Sequence, residues 1–582
     1  MRDTVQLTVE RDVPASMRDG TVLYADVYRP AAPGKYPVIL LRTPYDKSFG
    51  RIAYLQLDPM RAASQGYVLV IQDTRGRFNS EGEFYCFRYE SQDGYDTVEW
   101  AAQQPWSDGN IGMYGASYMG ATQWLTAITP PPHLKCIVPL ITAADYHEGW
   151  AYQGGAFELG FNLSWTLASL VLANLAHFRL PADKAGRLRE DLIHAVDCMC
   201  DPFAYLPLKD FPLLQHERLA PYYYDWLAHP NDDEYWRQWN IADRHPQVTV
   251  PALNVGGWYD IFLGGTLRNY LGMRQDGGNA QAKQQRLIIG PWFHTTMWPN
   301  IAGEVDFGLR AQGLAIDLEG IILRWFDHWL KAIDTGMLRE PPVKLFVMGE
   351  NVWRDEREWP LARAQHTRYY FHSGGRANTR HGDGVLSLEP PSHEPADHYL
   401  YDPRHPVPTR GGGLCCWQAS VPGGAYDQRS VEERSDVLVY STPPLAQAME
   451  VTGPIVLKLW ASSSAVDTDF TAKLVDVEPS GYARNLTDGI LRARYRESTA
   501  RPTLIEPGRV YEYTIDLWAT SNLFKAAHRI RVEVSSSNFP RFDRNPNTGH
   551  PFAQDAELRP ATQTILHDAD HPSHIVLPIV PR

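Results

Sequence analysis

Apolar and polar positions fall into three regimes along the 582-residue chain. Between 21 and 145, short apolar runs alternate with helical spacings. TVLYADVYRP and YPVILLRTPY read as strands, with Pro30 and Pro33 marking the loop between them. GYVLVIQDTRG is a third strand, almost continuously apolar, as a sheet covered on both faces requires. SQDGYDTVEWAAQQPW reads as a helix capped by Ser91 or Asp93, with Val98, Trp100 and Ala101 turned to the core. NIGMYGAS is a strand, MGATQWLTAI a helix and LKCIVPLIT a further strand. This alternation predicts a mostly parallel sheet with helices on both faces.

From 146 to 245 the spacing is helical without a strong strand, as in LSWTLASLVLANLAHF and DKAGRLREDLIHAVDCM. The block reads as a helical insertion, a lid over a pocket in preference to a mere packing layer. Strands return at VTVPALNVGG and QQRLIIGPW, and the helix EGIILRWFDHWLK closes the α/β portion near 335. Beyond EPPVKLFVMG, stretches such as IVLKLWASS, FTAKLVDVEP, VYEYTIDLWAT and HRIRVEVSSS alternate apolar and polar residues between turns. They predict a β-sandwich or jelly roll. The predicted division is therefore a catalytic α/β domain over 1–145 and 246–335, a helical cap over 146–245 and a β domain over 336–582.

Composition narrows the function classes. A net charge of −13 without a basic cluster argues against a nucleic-acid or anionic-membrane partner. Aromatic residues make up 12% of the chain, with 18 Trp and 30 Tyr, which suits apolar pockets as well as large cores. The opening MRDTVQLTVERD has no apolar segment of the kind a secretory leader carries, so a cytoplasmic protein is expected. Six cysteines in a chain of this length do not make a disulfide framework. Neither Cys198 with Cys200 nor Cys415 with Cys416 has the spacing of a zinc site, so a thiol-bearing protein without a metal is expected.

The chemistry is concentrated in NIGMYGASYMGATQW. Ser117 stands between a predicted strand and a helix, where α/β-hydrolases keep their nucleophile. The usual G-x-S-x-G is displaced: Gly115 precedes Ser117 by two, but Met119 follows it by two and the second glycine is Gly120. A hydroxyl needs a base, and the base needs an orienting acid. Asp260 in VPALNVGGWYDIF and His294 in RLIIGPWFHTT each follow a strand that the pairs Gly256–Gly257 and Gly290–Pro291 are expected to end. They come in the order Ser, Asp, His that this fold uses. The backbone N–H of Tyr118 and the hydroxyl of Tyr45, in LRTPYDKS, are candidate oxyanion donors.

VPASMRDGTVLYADVYRP, LRTPYDK, QDTRGRFNSEGEF, GMYGASYMGATQW, VGGWYDIFLGGTLRNY and IIGPWFHT together resemble the cocaine esterase-type serine hydrolases. That α/β-hydrolase group includes glutaryl acylases, α-amino-acid ester hydrolases and Xaa-Pro dipeptidyl-peptidases. KLFVMGENVWRDEREWP and SSSNFPRFDRNPNTG resemble the two ends of its C-terminal jelly-roll domain. The family motif is G-x-S-Y-x-G, so the displaced glycine is itself part of the resemblance. The resemblance implies Ser117 as nucleophile, Asp260 as acid, His294 as base, an oxyanion hole of Tyr45 and Tyr118, no cofactor, and a homo-oligomer.

Trp258 and Phe262 beside the acid, Trp165 in the insertion and Met119 beside the nucleophile are candidate pocket residues. Apolar walls favour an ester with a hydrophobic or aromatic acyl group. An acylase or dipeptidyl-peptidase is the alternative. Asp145 and Glu148 are the candidate clamp for a substrate ammonium, and Arg75 and Arg77 the candidate cations for a distal carboxylate. An acyltransferase, or a carbohydrate-binding protein with an inert hydrolase domain, are the remaining readings. Met119, where many hydrolases have glycine, predicts a helix set slightly away from the strand.

Overall fold

The computed structural model describes residues 6–48, 57–215, 219–295 and 297–582. The amino-terminal segment read for a leader lies partly outside them. A ten-stranded sheet runs, edge to edge, Leu7–Ser16, Val22–Pro30, Val68–Asp73, Tyr36–Thr43, Ser107–Ala116, Leu134–Leu140, Leu253–Tyr259, Arg286–Phe293, Val343–Val347 and Val352–Glu356. The strands from Val68–Asp73 to Val343–Val347 are parallel; antiparallel pairs close both edges. Chain direction across the sheet reverses between Tyr36–Thr43 and Ser107–Ala116. Open α/β sheets form ligand crevices beyond the carboxyl ends of the strands at such a point.

Period-two alternation divides the sheet between two cores. Val38, Leu40, Ile111 and Met113 face one side, with Val98 of helix Glu90–Ala102 and Trp124 of helix Tyr118–Ala127. Ile39, Leu41 and Tyr114 face the other, against Ile322, Trp325 and Phe326 of helix Leu318–Leu330. Helix Glu90–Ala102 begins a residue before Ser91 and has no side-chain cap. Asp93, one of the expected caps, instead accepts two hydrogen bonds from Arg75.

The first sheet takes in strands beyond 335, and two strands run further than the sequence reading has them. The first sheet continues past 335: Val343 pairs in parallel with Leu287, and Val343–Val347 then forms a hairpin with Val352–Glu356. KLFVMGENVWRDEREWP, which resembles the start of the C-terminal domain, thus supplies the last strands of the first sheet. The glycine pairs do not end their strands either. Gly256 and Gly257 lie within Leu253–Tyr259, paired with Ile289 and Gly290. A Cβ on Gly257 would stand 2.2 Å from the Trp292 carbonyl oxygen, so glycine there permits the close approach of two strands.

The insertion contains helix Leu159–Ser164, a wide helical turn over Trp165–Val171, and helices Ala182–Asp197 and Pro221–Ala228. Leu159–Phe178 is long and apolar enough to cross a membrane, but most of it is buried in the protein. Its residues share one apolar core with the sheet face below, so the insertion is both cover and packing layer. The remaining strands, from Gln365 to Val580, form an eleven-stranded β-rich domain. Its core, with Leu457, Ile515 and Val532, is continuous with Leu263, Leu287 and Val343 of the α/β domain.

Candidate active site

Three strand ends meet. Strand Ser107–Ala116 delivers Ser117 in the conformation φ 61°, ψ −125°, at the start of helix Tyr118–Ala127. A non-glycine residue at positive φ costs energy and persists only where its surroundings enforce it. Here the Ser117 N–H donates to the Leu140 carbonyl at 2.9 Å, and the Ser117 carbonyl accepts from Gly120 and Ala121. The side chain makes no capping bond, so its hydroxyl is free to face the cleft. Room for Met119 comes from Gly115, at φ 137°: a Cβ there would lie 2.6 Å from that of Met119. Met119 itself packs into the core on the far face of the sheet.

Asp260 and His294 are the first residues beyond their strands. Asp260 is fully buried, and its Oδ2 accepts the Phe262 N–H at 3.0 Å. Its Oδ1 lies 2.6 Å from His294 Nδ1. The other ring nitrogen, Nε2, lies 3.0 Å from Ser117 Oγ. A carboxylate on Nδ1–H leaves Nε2 as the acceptor, so the chain is ordered to draw a proton from the serine.

Tyr45 lies two residues past strand Tyr36–Thr43. Its oxygen accepts the Trp165 Nε1–H at 3.0 Å, which leaves its own proton to donate. Burial lifts the phenol well above its ordinary pKa, against smaller pulls from Trp165 and Ser117, so it keeps that proton. Arg77 holds this loop against the cap: it donates to the carbonyls of Pro44, Leu170 and Ser169. Tyr118 is the first residue of its helix, so its backbone N–H has no intrahelical acceptor. Its side chain is anchored elsewhere, with the hydroxyl donating to Glu90 and accepting from Phe87 N–H.

An aromatic enclosure adjoins the triad. Phe262 meets the His294 ring edge-on at 5.1 Å and stacks on Trp150 at 4.4 Å. Trp165 contacts Trp150, Phe161 and Tyr118 and lies parallel to Trp226 at 6.3 Å. Trp258 does not join it. Its Nε1 donates to the Phe346 carbonyl and its ring packs on Trp359, in the core shared with the C-terminal domain. The expected pocket role for Trp258 is thereby corrected; still inside the strand, it points into that core, whereas Phe262 lies beyond the strand end.

The charged candidates are engaged in structure. Asp145 accepts from the N–H groups of His147 and Glu148 and from Asn240, and Glu148 accepts from Gly154 N–H. Arg75 binds Asp93 and Asp19. The sequence reading missed Trp226 and the segment around Cys415 and Cys416. That segment reaches the site from the β-rich domain: a Cβ on Gly413 would stand 3.2 Å from the Asp260 carbonyl oxygen. Cys415 and Cys416 are paired as a disulfide, and Cys86, Cys136, Cys198 and Cys200 are free thiols. Nothing local in the sequence marks the approach of Trp226 or of this segment to the site, because it depends on contacts between distant segments.

The comparisons agree with this architecture. Residues 19–296 match the model of the X-Pro dipeptidyl-peptidase (S15) family, and 335–576 that of the X-Pro dipeptidyl-peptidase C-terminal non-catalytic domain. The chain is 42% identical to a cocaine esterase of Rhodococcus over 99% of both proteins. Among solved structures, an aminopeptidase from a marine-sediment Thaumarchaeota archaeon is 27% identical with TM-score 0.81, covering 100% of this chain and 97% of that one. An α-amino-acid ester hydrolase is 25% identical with TM-score 0.79 at the same coverage. With family models matched across both the α/β and β-rich portions, and strand-end residues set in the order of an α/β-hydrolase, the chain belongs to the X-Pro dipeptidyl-peptidase (S15) family of hydrolases.

Proposed function

We propose that the chain is a cytoplasmic serine carboxylesterase that cleaves small-molecule esters through an acyl-enzyme. The observation that carries this reading is the continuous Asp260–His294–Ser117 hydrogen-bonded chain. His294 Nε2 takes the Ser117 proton as Oγ attacks the ester carbonyl. Asp260 fixes the tautomer and stabilises the imidazolium. The tetrahedral oxyanion is held by the Tyr45 hydroxyl and the Tyr118 N–H. Collapse expels the alcohol, which takes the proton from His294. Water, deprotonated by the same nitrogen, then releases the acid and restores Ser117.

The acyl group sits in the aromatic enclosure of Trp150, Trp165 and Phe262, beside His294. An ester is favoured over a peptide because Asp145 and Glu148, the candidate clamp for a substrate ammonium, are already committed to loop amides. Amide cleavage is the second reading, favoured by the family description and by the aminopeptidase of the same architecture. A panel of p-nitrophenyl esters, from acetate to benzoate, set against aminoacyl anilides decides between them. The aromatic ester is expected to exceed the acetate by about tenfold or more in kcat/KM, as an apolar pocket discriminates by size. Preferred cleavage of anilides with a free amine would overturn the ester reading.

A further inference from the structure

The Cys415–Cys416 pair stands beside the residue read above as the catalytic base. Ligand atoms of His294, Cys415 and Cys416 all lie within 4.8 Å of one another. Cys415 is fully buried and Cys416 half-buried. Their position is built by the fold. Reciprocal hydrogen bonds between Gly412 and Gly424, 2.8 and 2.9 Å, close the base of this loop, and Gly413 approaches the Asp260 backbone.

While the sulfurs are joined they offer no thiolate. Reduced, they would put two soft ligands next to an imidazole. Asp260 already holds His294 Nδ1–H, the outer-shell carboxylate that metal-ligating histidines commonly have, which leaves Nε2 to face a cation. Tetrahedral zinc bonds of about 2.3 Å to sulfur and about 2.0–2.1 Å to nitrogen set ligand atoms about 3.6–3.8 Å apart. Reduction frees the two sulfurs to separate to that spacing, with an imidazole nitrogen already within 4.8 Å of both.

We propose that the reduced Cys415–Cys416 pair and His294 form a capture site for a thiophilic divalent cation, Zn2+ or Cd2+, which reversibly blocks the triad. The inference rests on the reading of His294 as base. A dithiol reductant first converts the disulfide to two thiols and becomes a cyclic disulfide itself. The two thiols then release two protons as two sulfur–metal bonds form. The Nε2 lone pair becomes the third ligand and gives up its hydrogen bond to Ser117, so the hydroxyl loses its proton acceptor.

The test uses a Cys198→Ser/Cys200→Ser parent, which removes the two exposed thiols. Reduced and oxidised samples are titrated with Cd2+, and both the ultraviolet thiolate-to-metal charge-transfer band and ester turnover are followed. The reduced parent is expected to bind one ion per chain with that band. Its turnover falls about tenfold once free Cd2+ reaches about ten times its Kd, and recovers on chelation. The oxidised parent shows neither effect. Further Cys415→Ser or Cys416→Ser substitution abolishes the band, and turnover, scored against each variant's own uninhibited rate, becomes insensitive to Cd2+. A band without inhibition, or equal inhibition of the oxidised parent or the serine variants, would overturn the proposal. Fluorophosphonate labelling of Ser117 in metal-free protein tests the triad reading separately.

Discussion

The strand ends and the segments that lean over them are held by different forces. Ser117, Asp260 and His294 continue from strands in the middle of the ten-stranded sheet, each locked by backbone bonds on both sides. Trp165, from the insertion, is held by a side-chain bond and ring contacts, while the 412–424 loop of the β-rich domain is closed on itself by backbone bonds between its ends. The sheet fixes the reacting groups to each other; the overlying segments fix what is placed against them. Tyr45 belongs to both: it follows a sheet strand but is clamped to the cap through Arg77 and Trp165.

Substitutions sharpen that contrast. Tyr45→Phe removes one hydroxyl and leaves the triad intact. Loss of one oxyanion donor costs about 2.7–4 kcal/mol, so kcat is expected to fall by about 10²–10³ with KM little changed. Steady-state kinetics on a p-nitrophenyl ester check it, and an unchanged kcat would remove Tyr45 from the oxyanion hole. Arg77→Met strips donors from two buried carbonyls and a partly buried third. Hydrogen bonds to a charged group contribute about 1.5–3 kcal/mol each, so stability is expected to drop by about 3 kcal/mol or more. The Tyr45 loop then loses its link to the cap, and kcat falls with it. A denaturation midpoint equal to the parent's would show that the cap needs no such clamp.

A pH-dependent effect concerns Glu158, which precedes helix Leu159–Ser164. Burial lifts its carboxyl to about 8, against the pull of Arg541. The unfolded chain releases this proton near the ordinary value of 4.5, whereas the folded chain holds it to about 8. Stability therefore falls as pH rises across that window, by up to about 1.4 kcal/mol per unit, and levels off above it. Glu158→Gln removes the titration. The stability gained by the variant over its parent should widen from pH 5 to 8 and then stop widening; a constant difference across this range contradicts the account.

The same division sets what was legible in the sequence. The approximate strand ends were readable because an apolar run of strand length precedes each of Ser117, Asp260 and His294 by at most a few residues. The motif with its second glycine three residues on remained sound, since Gly115 makes the space that Met119 fills. Strand extents were read too short at Gly256–Gly257 and Gly290–Pro291, where glycine serves interstrand packing instead of a turn. Trp258 and Phe262 looked equivalent because both flank Asp260; only the tertiary fold sends one ring to Trp359 and the other to His294. The approach of Cys415 and Cys416 to His294 spans more than a hundred residues of chain, and no local pattern encodes such a contact.

The central claim is that the Asp260–His294 pair activates Ser117 and no other hydroxyl. Treatment with a fluorophosphonate, followed by peptide mass analysis, tests it most directly. One adduct per chain on Ser117 is predicted, formed in step with loss of ester cleavage, and abolished in His294→Ala. Stoichiometric labelling of a different residue, or full esterase activity with Ser117 blocked, would contradict it.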